Sequence, residues 1–340
     1  MKSHCFIITA PHHGVLTQES VPEPRDGELL CRPLRIGLCG TDRLVYAGEM
    51  PAAIFPRVPG HEVVAEVLED RSSRGLAAGT RIVVDPYKNC GSCHACRVGR
   101  PNCCRLNQTL GVQRDGIMRE HFTLDADRAH CLPQDEDVRR FVLAEPLTLA
   151  LHVLERAGQV AGRWVLIAGV GNVGSLVLRV MQQAGARVIA WSLSEGTLRK
   201  ALALGAEHAI CATDPDAREK VMQITSGEGV SVAVECAGKS QAVEDCIALA
   251  AFAGRVILHG HSKLASAVRG SDLVFKELDV LGSRNSHGCF PRALRCLSDR
   301  PEVWNELISH QLPWSAVQEA FDLTKGPSGT YSKIVLDFPD

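Results

Sequence analysis

Long apolar runs are absent from this sequence. A membrane helix needs about 18 apolar residues in a row, and the best candidate, Phe141 to Leu154, is interrupted by Glu145 and Pro146. The N-terminal segment, Met1 to Ile8, contains no apolar stretch long enough for a signal peptide. We therefore expect a cytoplasmic protein that does not bind membranes.

The sequence also lacks an excess of charge of either sign. Its 37 basic and 39 acidic residues give a net charge of -2 at pH 7, which offers no basic surface for nucleic acid or anionic lipid. Hydrophobic residues make up 45% of the chain and charged residues 22%, as in ordinary globular proteins. The 340 residues are many for one hydrophobic core, so we expect two domains.

Cysteine, in contrast, is abundant. The chain has 14 cysteines, and in the absence of an export signal, reduced thiols and metal ligands are favoured over disulfides. Most of the scattered cysteines are expected to be small core residues. Five crowd into one short segment: Cys90, Cys93, Cys96, Cys103 and Cys104.

The spacing Cys90-x2-Cys93-x2-Cys96-x7-Cys104 is the strongest local motif. Four thiolates on one loop can close a tetrahedron around Zn²⁺ and leave no open position, which is the arrangement of a structural zinc site. Two alternatives stay open on this spacing alone. Similar cysteine runs hold iron–sulfur clusters, and Cys103 could replace Cys104 as the fourth ligand.

A second set of candidate ligands lies upstream. Cys39 opens a Cys-Gly-Thr-Asp motif, and His61 and Glu62 belong to a Gly-His-Glu motif. Together they would suit a catalytic zinc, which is held by few protein ligands and keeps one position for substrate. Glu62 and the later Glu145 are the available carboxylates. Asp42 is a candidate to orient His61 through its second ring nitrogen.

The sequence pattern changes near Leu147. Before it, short β-like runs broken by glycine and proline indicate a mostly β domain. After it, apolar strands alternate with helical stretches, which predicts a Rossmann-type, doubly wound parallel sheet of six strands. The early strands are Leu29 to Ile36, Glu62 to Leu68, Arg81 to Asp85 and Glu120 to Leu124. The later strands are Trp164 to Ala168, Arg187 to Trp191, His208 to Cys211, Val230 to Glu235, Arg255 to Gly260 and Asp279 to Gly282.

Helices are predicted between most of these strands, and the tail after Ser283 ends in an apolar strand from Ser332 to Phe338. The tail is too short to be a domain, so we expect it to return to the first domain. The predicted helices are those around Leu147 to Leu154, Val173 to Ala184, Leu198 to Leu204, Ala217 to Ile224 and Ala242 to Leu249.

A glycine motif lies between the first strand of the parallel sheet and the helix that follows. It contains Gly169, Gly171 and Gly174, with Asn172 and Val173 between the last two. In this context the glycines allow a tight turn, close approach of backbone amides to a pyrophosphate, and close packing of helix on strand. The helix N-terminus adds the positive end of its dipole. The motif therefore predicts a bound dinucleotide.

The end of the second strand bears on the choice between NAD and NADP. Ser192 stands where an acidic residue would bond the adenosine ribose and repel a 2′-phosphate, and Glu195 comes three residues later. Arg199 and Lys200 lie one helical turn further on and could pair with a phosphate. Both cofactors stay open, with a slight preference for tolerance of NADP.

In this order, these motifs resemble those of the zinc-dependent medium-chain alcohol dehydrogenases, and the resemblance covers nearly the whole chain. It implies a bipartite, GroES-like catalytic domain made of residues 1–146 and 285–340, with a dinucleotide-binding domain, 147–284, inserted. It also implies two Zn²⁺ per chain, Cys104 as the fourth structural ligand, and a homodimer or homotetramer. The motifs are those of Cys39 and His61, the four-cysteine loop, Asp115-Gly116 with Glu120, Glu145-Pro146 and the glycine fingerprint.

Two segments resemble the polyol and sugar-acid branch, such as sorbitol, L-threonine and L-galactonate dehydrogenases: the Glu-Pro-Leu run that begins at Glu145 and the Gly-Ser-Arg-Asn run around Arg284. By this likeness Glu62 and Glu145 compete to be the third ligand of the catalytic zinc, directly or through water. Arg284 is a candidate to bind a hydroxyl or carboxylate. Thr41 is placed to take the proton from the substrate oxygen. Leu44 stands where many relatives carry a histidine, so we expect no histidine relay there.

The sequence thus predicts an enzyme that transfers hydride between NAD(P) and a secondary alcohol or ketone, a polyol, sugar acid or related small molecule. Two other classes are alternatives. A non-catalytic nicotinamide-binding sensor would not need the open zinc position of Cys39, His61 and the carboxylates. A zinc-independent quinone or enone reductase on the same fold would lack the metal ligands.

Overall fold

The computed structural model of the protein describes residues 2–133, 136–261, 264–326 and 330–339. The chain divides into two compact units. The first comprises Met1–Thr148, His287–Gly326 and Tyr331–Asp340, and the second comprises Leu149–Ser286 and Pro327–Thr330. Among the described residues, no helix is both long enough and apolar enough to cross a membrane.

The N-terminal part of the first unit consists of short strands with little helix. Its strands are β1 (Lys2–Ala10), β2 (His13–Ser20), β3 (Glu28–Gly37), β4 (Glu62–Asp70), β5 (Arg81–Val84), β6 (Tyr87–Lys88), β7 (Gln108–Thr109), β8 (Phe122–Asp125) and β9 (Ala129–Cys131). Its helices are α1 (Gly40–Tyr46) and α2 (His94–Arg97), and α3 (Ala144–Ala157) leads into the second unit.

The second unit alternates strand and helix. Its strands are β10 (Trp164–Ala168), β11 (Arg187–Ser192), β12 (His208–Cys211), β13 (Val230–Glu235), β14 (Ala250–Leu258) and β15 (Asp279–Gly282). Its helices are α4 (Asn172–Gln183), α5 (Glu195–Ala203), α6 (Ala217–Ile224), α7 (Ser240–Leu249) and α8 (Gly270–Lys276).

The six strands of the second unit form one parallel sheet in the order β12-β11-β10-β13-β14-β15. The central strands are mainly apolar because both of their faces are buried. In β10, for example, every residue from Val165 to Ala168 is 0% exposed. The chain reverses its direction of winding between β10 and β13, which makes this the topological switch point of the sheet.

The C-terminal segment returns to the first unit. It contains α9 (Phe290–Asp299), α10 (Pro301–Asn305), β16 (Ile308–Pro313), α11 (Val317–Leu323) and β17 (Lys333–Asp337). Strand β17 pairs antiparallel with β3, with Val335 opposite Gly37, and β16 pairs parallel with β17. The resulting sheet has the order β16-β17-β3-β4-β5-β9, with β8 also paired to β3. Fully buried side chains such as Leu29, Ile36 and Phe321 pack in its core.

The predicted fold class, a Rossmann-type sheet combined with a mostly β, GroES-like part, is confirmed. Several element bounds differ from the prediction. Helix α5 begins at Glu195, not Leu198, because the Ser194 side chain caps it by accepting a hydrogen bond from the Thr197 N–H. Strand β14 begins at Ala250, five residues before the predicted Arg255. Strands β1, β2 and β16 and helices α1 and α8 were not predicted.

Candidate functional site

Cys39, His61 and Glu62 form one cluster of potential metal ligands in the first unit. The Cys39 Sγ, a ring nitrogen of His61 and a carboxylate oxygen of Glu62 lie within 4.8 Å of one another. Cys39 caps α1 directly after β3, and His61 precedes β4. The pairing of β3 with β4 sets Gly37 opposite Glu62. A side chain at position 37 would overlap the Glu62 carboxylate, so this glycine makes room for it.

Asp42 fixes the backbone on both sides of this cluster. Its Oδ2 accepts a hydrogen bond from the Cys39 N–H at 2.9 Å, and its Oδ1 accepts one from the Gly60 N–H at 2.9 Å. The Cys39 Sγ in turn accepts from the Thr41 N–H at 3.4 Å. The Asp42 Oδ1 lies 3.7 Å from the His61 Nδ1, which is longer than a hydrogen bond. Asp42 therefore orients His61 chiefly through the backbone of Gly60.

Glu62 is paired with a buried lysine. The Lys333 Nζ donates to Glu62 Oε1 at 2.8 Å and Oε2 at 2.5 Å, and to the Leu38 carbonyl at 3.2 Å. The Lys333 side chain is 3% exposed and that of Glu62 is 0% exposed. A single charge at such a depth would be strongly unfavourable, so each side chain supplies the countercharge that the other needs.

Glu145 lies outside the three-residue group. It belongs to the first turn of α3 and is 4% exposed, and the Tyr87 hydroxyl donates a hydrogen bond to its Oε1. Burial raises the pKa of Glu145 to about 7, and the charge of His61 opposes this rise. Burial also raises the pKa of Tyr87, so its hydroxyl stays protonated. Glu145 thus has a neutral partner, whereas Glu62 has a cationic one.

The donor set of Cys39, His61 and Glu62 fits Zn²⁺. Thiolate, imidazole and carboxylate are the usual ligands of catalytic zinc, and three of them leave a position for water or substrate. The donor atoms of Cys39, His61 and Glu62 all lie within 4.8 Å of one another, so one ion could contact all three. The His61 Nδ1 is buried and has no hydrogen-bond partner among the described residues.

Cys90, Cys93, Cys96 and Cys104 form the second cluster, and their sulfurs also lie within 4.8 Å of one another. The Cys93 and Cys96 sulfurs are 3.6 Å apart, and those of Cys104 and Cys90 are 3.5 Å apart. A tetrahedron with Zn–S bonds of about 2.3 Å has sulfurs about 3.8 Å apart, so these four fit one zinc ion. Cys103 is not part of the group.

Backbone N–H groups donate hydrogen bonds to the sulfurs of Cys90 and Cys104, which favours the thiolate form. The Cys93 N–H donates to the Cys90 Sγ at 3.3 Å, and the Cys90 N–H donates to the Cys104 Sγ at 3.4 Å. The backbone N–H groups of Ser92 and Cys93 lower the pKa of Cys90 to about 6. All fourteen cysteines of the chain lie in the described residues and are free thiols.

The glycine motif occupies the turn from β10 into α4 in the second unit. Gly169 has a φ of +90°, and a Cβ there would lie 2.7 Å from the backbone nitrogen of Ala237. A Cβ on Gly174 would overlap the Gly169 carbonyl oxygen, whereas one on Gly171 would meet no atom within 4 Å. Gly171 caps α4, and Asn172 and Val173 form its first turn. The motif thus combines close packing on one side with open space at the helix N-terminus, where an anion is favoured.

Ser192 ends β11 beside this turn. The Gly169 N–H donates to the Trp191 carbonyl at 2.8 Å, and the Ser192 Oγ accepts from the Ser194 N–H at 3.4 Å. Arg199 lies on α5 and pairs with Glu195 at 3.5 Å, with both side chains largely exposed. Burial lowers the pKa of the neighbouring Lys200. Ser192 is therefore adjacent to the glycine turn, whereas Arg199 is a solvated residue of the following helix.

The two sets of predicted residues fall in different units. Thr41, Asp42 and the metal ligands belong to the first unit, and the glycine motif, Ser192, Arg199 and Arg284 belong to the second. Arg284 follows β15 and is exposed. Sequence reasoning did not identify Tyr87 and Lys333. One signal was available for Lys333, since a lysine that begins an apolar strand is unusual.

Known protein families match both units. Residues 25–134 match the alcohol dehydrogenase GroES-like domain, and residues 172–299 match the zinc-binding dehydrogenase domain. The chain is 35% identical over 330 residues to an uncharacterised zinc-type alcohol dehydrogenase-like protein of Haemophilus influenzae, covering 96% of each protein. It is 28% identical over 323 residues to L-galactonate-5-dehydrogenase of Escherichia coli K12, covering 93% of this chain and 94% of that one.

Two solved structures are similar over 99% of both chains. One is a protein of Sinorhizobium meliloti 1021 classed as a zinc-binding dehydrogenase and bound to NADP, with a TM-score of 0.92 and 29% identity. The other is an alcohol dehydrogenase of Escherichia coli CFT073 in complex with NADH, with a TM-score of 0.92 and 27% identity.

Proposed function

The chain belongs to the zinc-dependent alcohol dehydrogenase family, and on that premise we propose that it transfers hydride between NAD(P) and a secondary alcohol or ketone. The observation that carries this proposal is the meeting of the Cys39 sulfur, a His61 nitrogen and a Glu62 oxygen within 4.8 Å. A sensor that only binds nicotinamide would have no use for a metal site with an open position, and a zinc-independent reductase would lack it.

Cys39, His61 and Glu62 are the proposed ligands of the catalytic zinc. Of the two competing glutamates, Glu62 is supported because it belongs to the ligand group, whereas Glu145 is bonded to Tyr87 and lies outside it. When bound there, Zn²⁺ supplies Lewis acidity that lowers the pKa of a substrate hydroxyl. Cys90, Cys93, Cys96 and Cys104 would hold a second, structural zinc.

The remaining side chains either transfer a proton or hold other residues of the site in place. Thr41 is proposed to accept the proton of the substrate hydroxyl and to release its own to solvent. The glycine turn and Ser192 would hold the nicotinamide cofactor, which would supply the acceptor for the hydride that the alcohol carbon loses on oxidation to a ketone. Asp42 holds the Cys39 and Gly60 backbones, and Lys333 holds Glu62.

A polyhydroxy compound is the proposed substrate class. Tyr87 and Glu145 add a hydroxyl and a carboxylate next to the metal cluster, and such groups suit a substrate with further hydroxyls to bind. Arg284, exposed after β15, is a second proposed contact for a hydroxyl or carboxylate. The likeness to L-galactonate-5-dehydrogenase supports a sugar acid or polyol.

Tolerance of NADP is proposed in addition to use of NAD. The uncharged Ser192 beside the glycine turn supports it, because no carboxylate repels a 2′-phosphate there. The similar structures were solved with NADP in one case and NADH in the other, so the family fold accepts both. Arg199 is engaged by Glu195 and would have to leave this pair to reach a phosphate.

We also propose a homodimer or homotetramer with the domains 1–146 plus 285–340 and 147–284. Strand β15 ends the six-stranded sheet and has no further strand paired to it among the described residues, and such an edge can pair with a second copy. Exposed apolar side chains in the same unit also support an interface: Phe252, Val274 and Phe275 are 72%, 78% and 78% exposed. Light scattering after size exclusion would test the oligomeric state.

The free thiols of the metal-binding loop support a location of the protein in the reducing cytoplasm.

The function is tested by metal analysis combined with a substrate screen. The purified protein should contain two Zn²⁺ per chain and should reduce NAD⁺ or NADP⁺ with a member of a panel of polyols, aldonates, cyclitols and amino alcohols. The Cys39→Ser variant should lose this turnover. Iron with acid-labile sulfide would point to a cluster on the cysteine loop. Turnover that survives complete zinc removal would support the reductase class.

A further inference from the structure

Glu235 is a buried carboxylate at the switch point of the parallel sheet. It is the last residue of β13, the strand beside β10, and it is 0% exposed. Three turns meet around it at the carboxyl ends of the strands: the glycine turn (169–174), the β13 turn (236–239) and the β14 turn (259–261). In open parallel sheets, dinucleotides bind in the crevice at this place.

The Glu235 side chain holds the β13 turn, and its backbone holds the β14 turn. The Oε1 accepts a hydrogen bond from the Gly238 N–H at 2.6 Å. The Glu235 carbonyl accepts from the His259 N–H at 2.9 Å and the Gly260 N–H at 3.0 Å. Burial raises the pKa of Glu235, and the surrounding backbone N–H groups of Gly238, Ala237, Lys239 and Gly260 oppose that effect.

The two turns touch through glycine backbones directly at this carboxylate. A Cβ on Gly260 would overlap the Gly238 nitrogen and would lie 2.5 Å from the Glu235 Oε2 and 2.7 Å from the Gly238 Cα. Gly238 has a φ of +64°, and a Cβ there would lie 3.2 Å from the backbone of His261. Side chains at either position would push the turns apart, so the carboxylate and the glycines form one tightly packed unit.

The β13 turn in turn supports the glycine turn. The Cys236 N–H donates to the Ala168 carbonyl at 2.8 Å, and Gly169 packs against Ala237 so closely that a Cβ would lie 2.8 Å from the Ala237 Cα. A shift of the β13 turn would therefore displace the turn that is expected to bind the pyrophosphate. The Glu235 Oε2 is buried against Gly260 and has no hydrogen-bond partner among the described residues.

We infer that Glu235 is a positioning residue for the nicotinamide cofactor, whose carboxylate holds the β13 and β14 turns against the glycine turn. This inference rests on the proposed use of NAD(P) and adds a residue that acts on cofactor affinity without touching the reacting atoms. Glutamate suits this position because its carboxylate accepts a hydrogen bond from the Gly238 N–H, and its charge is favoured by the surrounding backbone N–H groups. Glutamine would keep the volume but would place an amide donor among them.

The test is the Glu235→Gln variant of the full-length, zinc-loaded protein. The Kd for NADH and NADPH, measured by calorimetry, should rise about tenfold, the change expected when a hydrogen bond to a charged acceptor becomes one to a neutral acceptor. The KM for the cofactor should rise likewise, while kcat at saturating cofactor changes much less. An unchanged Kd in a folded Glu235→Gln protein would overturn the inference.

Gly260→Ala provides a second route to the same displacement, since it pushes the turns apart and leaves the carboxylate in place. It should weaken cofactor binding as Glu235→Gln does. The double variant should bind little worse than either single variant, because both act on one packed unit. Fully additive losses would contradict this.

The matched control is Val256→Ala, which opens a cavity in β14 within the same unit, where Val256 is 0% exposed. It should lower Tm and leave the cofactor Kd unchanged. A rise in Kd that follows Tm equally in all variants would reduce Glu235 to a structural residue and overturn the inference. Failure of the parent protein to bind either nucleotide would overturn the proposed function as well, so the two failures are distinguishable.

Discussion

Lys333 and Glu62 form a buried ion pair between residues 271 positions apart, with the Nζ 2.8 and 2.5 Å from the two carboxylate oxygens. Because Glu62 is also a proposed metal ligand, the last strand of the chain sets the electrostatics of a site whose ligands come from the first strands. The pair is 3% and 0% exposed, so solvent screens it little.

Replacing Lys333 by methionine should destabilise the protein. In the metal-free protein, the change keeps most of the volume but leaves the Glu62 charge buried without a partner, which costs about 3–5 kcal/mol. The free energy of unfolding of the first unit should fall by that amount in urea titrations followed by circular dichroism. Lys325→Met is the control, because Lys325 pairs with Asp322 on the surface, and it should leave stability nearly unchanged. A Lys333→Met protein as stable as the parent would contradict the argument.

Cys104 and Cys39 should differ in what their loss affects. Cys104→Ser should lower Tm and remove about one zinc per chain, because a closed tetrahedral site contributes folding energy. Cys39→Ser should remove about one zinc as well and abolish turnover, but it should leave folding largely intact. Calorimetry, metal analysis and turnover on the same preparations measure all three effects. Equal losses of Tm in both variants would contradict this division.

Ser192→Asp should turn the cofactor preference toward NAD. The new carboxylate would bond the ribose hydroxyls of NAD and repel a 2′-phosphate, so kcat/KM with NADP should fall about tenfold to a hundredfold while that with NAD changes little or rises. Both cofactors are to be compared at saturating substrate in parent and variant. A parent that already rejects NADP by orders of magnitude would disprove the predicted tolerance and point to Glu195 as the ribose ligand.

His259 should make the second unit sensitive to acid. Burial, together with the charges of His261 and His152, lowers the pKa of His259 from 6.5 to about 4. Between these two values the unfolded chain binds a proton that the folded chain does not. The free energy of unfolding should therefore fall by up to about 3 kcal/mol as the pH decreases through this window, and this group should have no effect above pH 7.

The variant His259→Gln isolates this contribution. It cannot take up the proton, so its stability should depend less on pH between 7 and 4 than that of the parent. His13→Gln, a change at an exposed histidine of β2, is the control and should keep the full pH dependence. Identical pH profiles for the parent and His259→Gln would show that other groups cause the acid sensitivity.

The sequence predicted the central strands of the second unit well because they are buried on both faces. Trp164–Ala168 and Val230–Glu235 match the prediction at both ends. Continuous apolar runs between turns carry a clear signal. Helix α1 was missed for the opposite reason, since its start is held by Asp42 and Cys39 through a capping box and not by an apolar period. Strand β2 has no fully buried residue and therefore shows no alternation.

The candidate site was predictable only where its residues share a local motif. Cys39, His61 and Glu62 were identified from their motifs, and the structure adds that they meet. The partners of the two glutamates come from elsewhere in the chain: Tyr87 lies in β6, just before the cysteine loop, and Lys333 lies in β17. Such pairings depend on strand order in the folded sheet, which no local spacing records.

Strand β17 is synthesised after all the other strands of its sheet, and this order affects the incomplete chain. The ribosome completes residues 333–337 only after the second unit has emerged and can fold. Until then β3 has an unpaired edge along Gly37 and Ile36, and Glu62 lacks its countercharge. A chain truncated just before Lys333 would still contain every proposed metal ligand, yet it would expose a strand edge and an unpaired buried acid. A chain without β17 would therefore present to chaperones and proteases an unpaired strand edge that β17 otherwise covers.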